Sequence, residues 1–145
     1  MNLTQSQEDY LETIYLQCQK SDAKCAKVTD IANILDVKKA SVTGALTSLH
    51  EKGLVNYAPY SPVTLTPAGE SAAKKILLRH EVMQNFFKNI LELPEEEAAQ
   101  NACKMEHIMS EEMFKRIHAF SHFLEDYSSE HKDFKEKVSE YIKNF

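Results

Sequence analysis

The sequence runs to 145 residues, of which 43% are hydrophobic and 27% charged, a balance that suits one folded domain or two small ones and argues against disorder. No apolar run approaches the roughly 18 residues a membrane-spanning helix needs, and "MNLTQSQEDY" lacks the basic start and apolar segment of a secretion signal. The formal charge of −5 arises wholly after residue 75, since residues 1–75 hold 8 lysines against 8 acids and residues 76–145 hold 9 basic residues against 14 acids, so charge alone does not mark a nucleic-acid binder.

In chain order, "LTQSQEDYLETIYLQCQ" places Tyr10, Ile14 and Cys18 at helical spacing, and Thr4 followed by Gln7 fits a capping box, so a helix is predicted over about 5–19. "KSDAKCAK" is a polar loop. "VTDIANILD" predicts a short helix with Thr29 as its N-cap and Ile31, Ile34 and Leu35 apolar. In "ASVTGALTSLHEKG", Val42, Leu46 and Leu49 recur on one helical face, and Gly53 stands where a glycine ends a helix. "LVNYA" and "VTLT", separated by "PYSP", predict a small hairpin, and Thr66–Pro67 opens another helix.

Helix, short helix, turn, second helix and hairpin is the order of a winged helix-turn-helix. The recognition helix is expected over about 39–52 and the wing over about 54–66. A small α+β bundle whose hairpin serves packing alone has the same order. On the DNA-binding reading, Lys38, Lys39, Ser41, Thr43 and Gly44 begin the recognition helix, the lysines supplying charge and the hydroxyls contacts to phosphate or base edges. Tyr57, Tyr60 and Ser61 in the wing are either backbone contacts or plain hairpin surface.

The second half is helical throughout. Residues about 67–91 carry a broad apolar face with Ile76, Leu77, Met83, Phe86, Phe87 and Ile90. "LPEEEAAQNACKMEH" starts with Pro94 and three acids, which suit the positive end of a helix dipole. "SEEMFKRIHAFSHFLED" begins with Ser110 as N-cap and sets Met113, Ile117, Phe120 and Leu124 on one side; a last helix is predicted over about 130–143. Helices this long with apolar faces this wide call for a partner, and a homodimer through residues 67–125 is expected. The expected fold class is mainly α: a winged helix-turn-helix DNA-binding domain, 1–70, followed by an all-helical dimerisation domain, 71–145.

Within this half, "CKMEH" sets Cys103, Glu106 and His107 at i, i+3 and i+4, a thiol, a carboxylate and an imidazole on one helical strip. By itself that pattern is either a metal site or a buried cysteine beside a solvated pair. His118 and His122 share the spacing i, i+4, which can also bind metal, although solvation or packing is the expected role. His50 and His131 are expected at the surface. Cys18, Cys25 and Cys103 make an odd count at irregular spacing, no disulfide framework, and suit a reducing cytoplasm.

Four segments in order carry a resemblance over nearly the whole chain: "SQEDYLETIY", "VTDIANILDVKKASVTGALTSLHEKGLV", "LTPAGESAAKKILLRHEVMQNFF" and "ACKMEHIMSEE". They identify the chain as resembling the diphtheria-toxin-repressor family of metal-dependent transcriptional regulators, in its two-domain, manganese-regulator-like form. The resemblance implies metal ligands at Asp9, Glu12, His80, Cys103, Glu106 and His107. Asp9 and Glu12 match manganese-type members, whereas cysteine at 103 matches the iron type, which makes the ligand set a hybrid. Gln84 stands where many relatives carry a glutamate, and Ala99 where some iron-type members carry a histidine, so one ion per subunit is the expectation.

The oxygen and nitrogen donors with a single thiolate suit Fe²⁺ or Mn²⁺, with Fe²⁺ slightly favoured by the soft sulfur; a structural zinc site would show several cysteines at short spacing. The implied function is a repressor, not an enzyme, that binds double-stranded operator DNA as a homodimer when metal is bound and controls metal-homeostasis genes. On that reading Asp9 and Glu12 belong to the DNA-binding half and the other four ligands to the dimerisation half. The alternative is a metal-independent winged-helix regulator of a small organic ligand. A metalloenzyme is disfavoured, because no separate acid–base pair or phosphate-binding loop is present.

Overall fold

Thr4 closes the start of α1 (Gln5–Lys20) with a reciprocal pair of hydrogen bonds: its Oγ1 accepts from the Gln7 N–H at 3.3 Å, and Gln7 Oε1 accepts from the Thr4 N–H at 3.2 Å. The computed structural model describes residues 3–145, and the chain divides into two units, one ending at Leu77 and the other covering Leu78–Phe145.

In the first unit, α1 turns Tyr10, Leu11, Ile14 and Cys18 inward. Helix α2 (Val28–Ile34) contributes Ile31 and Ala32, and α3 (Lys39–Glu51) contributes Val42, Leu46 and Leu49. Leu11, Ile14, Ile31, Val42, Leu46 and Leu49 are all 0% exposed. This is the 3.6-residue stripe legible in the sequence, and truncating Leu46 to alanine there costs about 2–5 kcal/mol. Helix α3 ends as its sequence demands. Gly53, just beyond the C-cap Lys52, adopts φ +71°, the left-handed conformation that other residues reach only with strain.

The wing is a short antiparallel pair, β1 (Val55–Asn56) and β2 (Thr64–Leu65), in register Val55↔Leu65 and Asn56↔Thr64. Its base is tied to the loop before α2 by two reciprocal backbone bonds, Ala26 N–H to Val63 O and Val63 N–H to Ala26 O, both 2.8 Å. Thr66 locks the exit from the wing: its hydroxyl donates to Gly53 O at 2.7 Å and accepts from the Gly69 N–H at 3.0 Å. Gly69 is required there, since a Cβ would lie 1.9 Å from the carbonyl oxygen of Leu54.

Helix α4 (Pro67–Asn89) crosses the division between the units. Beyond it the second unit holds α5 (Glu95–Glu106), α6 (Glu111–Glu130) and α7 (Phe134–Lys143). Its core gathers Val82, Met83 and Phe87 of α4, Ala98 and Ala102 of α5, then Met109 and Phe114. Ser110 caps α6, its Oγ accepting from the Met113 N–H at 3.2 Å.

Three local expectations change. Thr29 does not cap α2; Lys27 occupies that position without a side-chain bond, and Thr29 lies inside the first turn with its hydroxyl on Asp30. Pro94 is the N-cap of α5 with an extended ψ of 145°, one position earlier than the proline-first pattern. On α6 the buried side is Phe114 and Leu124 with Ile117 packed beside them, while Met113 and Phe120 are exposed. The expected and observed sets share Ile117 and Leu124 and both have helical spacing, so periodicity alone could not choose Phe114 over Met113 and Phe120.

Candidate metal centre

On α5 the buried residues are Ala98, Ala102 and Glu106, at i, i+4 and i+8 on one face. The two alanines are 0% exposed, and the third place on the same stripe falls to a carboxylate. His80 likewise continues the inward stripe of α4, one turn after Ile76 and just before Met83. A buried glutamate and a half-buried histidine are thereby brought together.

His80 Nδ1 lies 2.7 Å from Glu106 Oε2, and His107 Nε2 lies 3.4 Å from Glu106 Oε1. The Glu106 and His107 side chains are each 1% exposed, that of His80 26%. His107 is the C-cap of α5 and keeps helical torsions, φ −80° and ψ −24°, so the i, i+3, i+4 strip continues one residue past the last hydrogen-bonded turn. Cys103, Glu106 and His107 each offer a ligand atom, and these atoms lie within 4.8 Å of one another. Cys103 is exposed.

Glu106 Oε1 has no hydrogen-bond partner among the described residues. A buried carboxylate oxygen left unsatisfied costs about 1–3 kcal/mol, more when charged. Electron-pair donors that converge at 2.7 Å need a proton or a cation between them. The donor set, two imidazoles, a carboxylate and a thiol, fits a divalent transition metal.

Asp9 and Glu12 stand one turn apart on α1, both half-buried, and belong to the first unit. Gln84 donates its amide N–H to Glu95 Oε1 at 2.7 Å, and Glu95 also pairs with Lys88. Lys88 holds the Glu95 carboxyl below the ordinary range, and Gln84 adds to the effect. This Gln84–Glu95–Lys88 network gave no signal in the sequence, because Glu95 reads there only as a helix-start acid. Ala99 is half-buried on α5.

Lys38, Lys39, Ser41, Thr43 and Gly44 are all exposed at the start of α3. The Thr43 hydroxyl donates to Lys39 O at 3.0 Å, which leaves its oxygen as an acceptor. Around Gly44 a Cβ would meet nothing within 4 Å, so no packing within the protein demands glycine there. Tyr60 of the wing is fully exposed, whereas Tyr57 packs against the core.

The family profile "Iron dependent repressor, N-terminal DNA binding domain" matches residues 2–63, and "Iron dependent repressor, metal binding and dimerisation domain" matches residues 66–135. Among curated proteins, the chain is 40% identical over 124 residues to an uncharacterised helix-turn-helix-type transcriptional regulator of Methanocaldococcus jannaschii, covering 86% of this chain and 98% of that one. It is 31% identical over 132 residues to the helix-turn-helix-type transcriptional regulator MntR of Bacillus subtilis, 91% of each chain. Among solved structures, T. acidophilum IdeR matches with TM-score 0.65 and 28% identity, over 81% of this chain and 53% of that chain. A manganese-dependent transcriptional repressor in complex with manganese matches with TM-score 0.69 and 28% identity, over 78% of this chain and 51% of that chain.

Proposed function

The chain belongs to the diphtheria-toxin-repressor family of metal-dependent transcriptional regulators, and from that premise we propose that it is a homodimeric, cytoplasmic repressor switched by Fe²⁺ or Mn²⁺. Members of the family are regulators rather than enzymes, and their dependence on metal disfavours the metal-independent, organic-ligand alternative. The observation that carries the reading is the buried Glu106 carboxylate, faced by His80 at 2.7 Å and His107 at 3.4 Å, with one oxygen lacking a hydrogen bond among the described residues.

In this reading His80, Cys103, Glu106 and His107 hold the ion, joined by Asp9 and Glu12 on the strength of the family resemblance. The bound cation supplies positive charge to the buried Glu106 carboxylate. Cys103 as a thiolate softens the set and tilts the preference toward Fe²⁺. Residues 1–70 form the DNA-binding domain, with Lys38 and Lys39 against phosphates and Ser41, Thr43 and Gly44 closest to the major groove. Residues 71–145 form the dimerisation and metal-binding domain, in keeping with the exposed Met113, Phe120 and Phe123 on α6. Linkage makes the coupling reciprocal: metal that tightens DNA binding is itself bound more tightly in the presence of DNA.

The test is fluorescence anisotropy on operator duplexes from metal-homeostasis genes, under anaerobic Fe²⁺, Mn²⁺ or chelator. The proposal expects binding that requires Fe²⁺ or Mn²⁺, is lost with chelator and is strongest with Fe²⁺. Tight, specific binding that ignores chelation would overturn it.

A further inference from the structure

Helix α6 carries a second pair of metal-ligating side chains away from the centre built on Glu106. His118 and His122, one turn apart, bring their Nε2 atoms to 3.0 Å. The His118 ring stacks on Phe114, centroids 5.6 Å apart at 29°, which fixes its orientation. On the other side of the His122 ring, Nδ1 lies 3.7 Å from Glu125 Oε2. At that separation the carboxylate makes no hydrogen bond but places negative charge beside the imidazole pair, which favours a bound cation.

His118 and His122 are among the residues lining a cavity of about 270 Å³ between α4 and α6, together with Glu81, Ser121 and Glu125. Phe120 is two residues from either histidine and hence about 200° around the helix from each of them.

We propose that His118 and His122 bind a divalent transition-metal ion through their Nε2 atoms, with the Glu125 carboxylate adding negative charge beside His122. Imidazole donors suit first-row divalent ions such as Ni²⁺, Cu²⁺ and Zn²⁺. The site contains no thiolate, which separates it chemically from the centre at Cys103.

That difference supplies the test. Tag-free full-length protein is titrated with Ni²⁺, with calorimetry counting ions and near-ultraviolet absorption reporting nickel–thiolate charge transfer. The parent protein should bind an ion without charge transfer in addition to any that shows it. His118→Ala/His122→Ala should bind one ion fewer per chain with the charge-transfer band unchanged. Cys103→Ala/His107→Ala should lose the band and keep the silent ion. Since His122 is largely solvent-exposed, the single His122→Asn variant repeats the reading should the double variant misfold by circular dichroism. If either α6 variant binds as many ions as the parent, with the same affinity, the imidazole pair is only a hydrogen bond and the proposal fails.

Discussion

His80 and Glu106, 26 residues apart in sequence, meet at 2.7 Å between Nδ1 and Oε2, with the carboxylate on the apolar stripe of α5 at 1% exposure. A negative charge at that depth requires compensation. His80 satisfies one oxygen, and a cation shared with Cys103 and His107 would satisfy the other.

Glu106→Gln keeps the shape and removes the charge. In the parent protein, metal at 100 times its dissociation constant should stabilise the fold by about 2.7 kcal/mol. In Glu106→Gln that gain should vanish, and metal-dependent DNA binding with it, while the metal-free variant remains folded. Thermal unfolding with and without anaerobic Fe²⁺ or Mn²⁺ reads both. A parental rise in Tm in the variant would remove Glu106 from the ligand set.

Cys103→Glu exchanges the one soft donor for a hard one. Mn²⁺ should gain on Fe²⁺ by on the order of tenfold in relative affinity, about 1.4 kcal/mol. Competition between the two ions under anaerobic conditions measures the ratio. An unchanged ratio would mean that the thiol does not set metal preference.

Gly44 separates stability from recognition. A Cβ there meets nothing within 4 Å, so Gly44→Ala should stabilise α3 by about 0.5–1 kcal/mol, the ordinary gain of alanine over glycine inside a helix. If the glycine is kept for close approach to DNA, the same variant should bind the operator more weakly despite its higher Tm. Anisotropy and thermal melts on one sample decide the matter, and gains in both would show that Gly44 has no part in recognition.

The folded framework of the first unit was plainly legible. Val42, Leu46 and Leu49 recur at helical spacing and all become core, and Thr4 with Gln7 forms the expected capping box. Gly53 closes α3 in the left-handed conformation a helix-ending glycine suggests. The second unit was less legible because its helices are apolar on more than one side. On α6 the stripes through Met113 and Phe114 have the same period, and only packing against α4 and α5 selects Phe114. The spacing of Cys103, Glu106 and His107 pointed to a shared strip, yet what distinguishes a metal centre from a solvated pair is burial. That signal was present in Ala98 and Ala102, whose stripe runs on into Glu106. The 3.0 Å approach of His118 and His122 depends on rotamers, which spacing does not specify.

The ion pair between Asp133 and Lys137 gives α7 a pH-dependent contribution. Their contact, 2.5 Å between Nζ and Oδ2, lowers the Asp133 pKa and raises that of Lys137. The depressed carboxyl contributes stability that is present above the ordinary aspartate range and lost as pH falls through the lowered value. The raised ammonium contributes stability that is present below the ordinary lysine range and lost as pH rises through the raised one. The helical contribution of the pair should therefore be flat across neutral pH, fall away in acid and in strong base, and shrink with added salt. Comparing the far-ultraviolet circular dichroism of the parent with Lys137→Ala across pH isolates it; a difference that persists unchanged in acid would show that the ion pair is not its source.

The two hydrogen bonds between Ala26 and Val63 span 37 residues of chain, yet they close the base of a wing whose own strands are two residues each. A hairpin that short is marginal by itself. Its order is therefore borrowed from the helical core on which Ala26 and Val63 are buried. Amide hydrogens at these two positions should exchange with solvent as slowly as those of α1 and α3, whereas the tip around Tyr60 should exchange within the dead time of the measurement. A protease that nicks the tip would leave two pieces still joined through that bridge and the core beneath it. The wing thus behaves as a freely replaceable tip on a fixed root, so that changes in its length or composition can alter what it touches without loosening the unit that carries it.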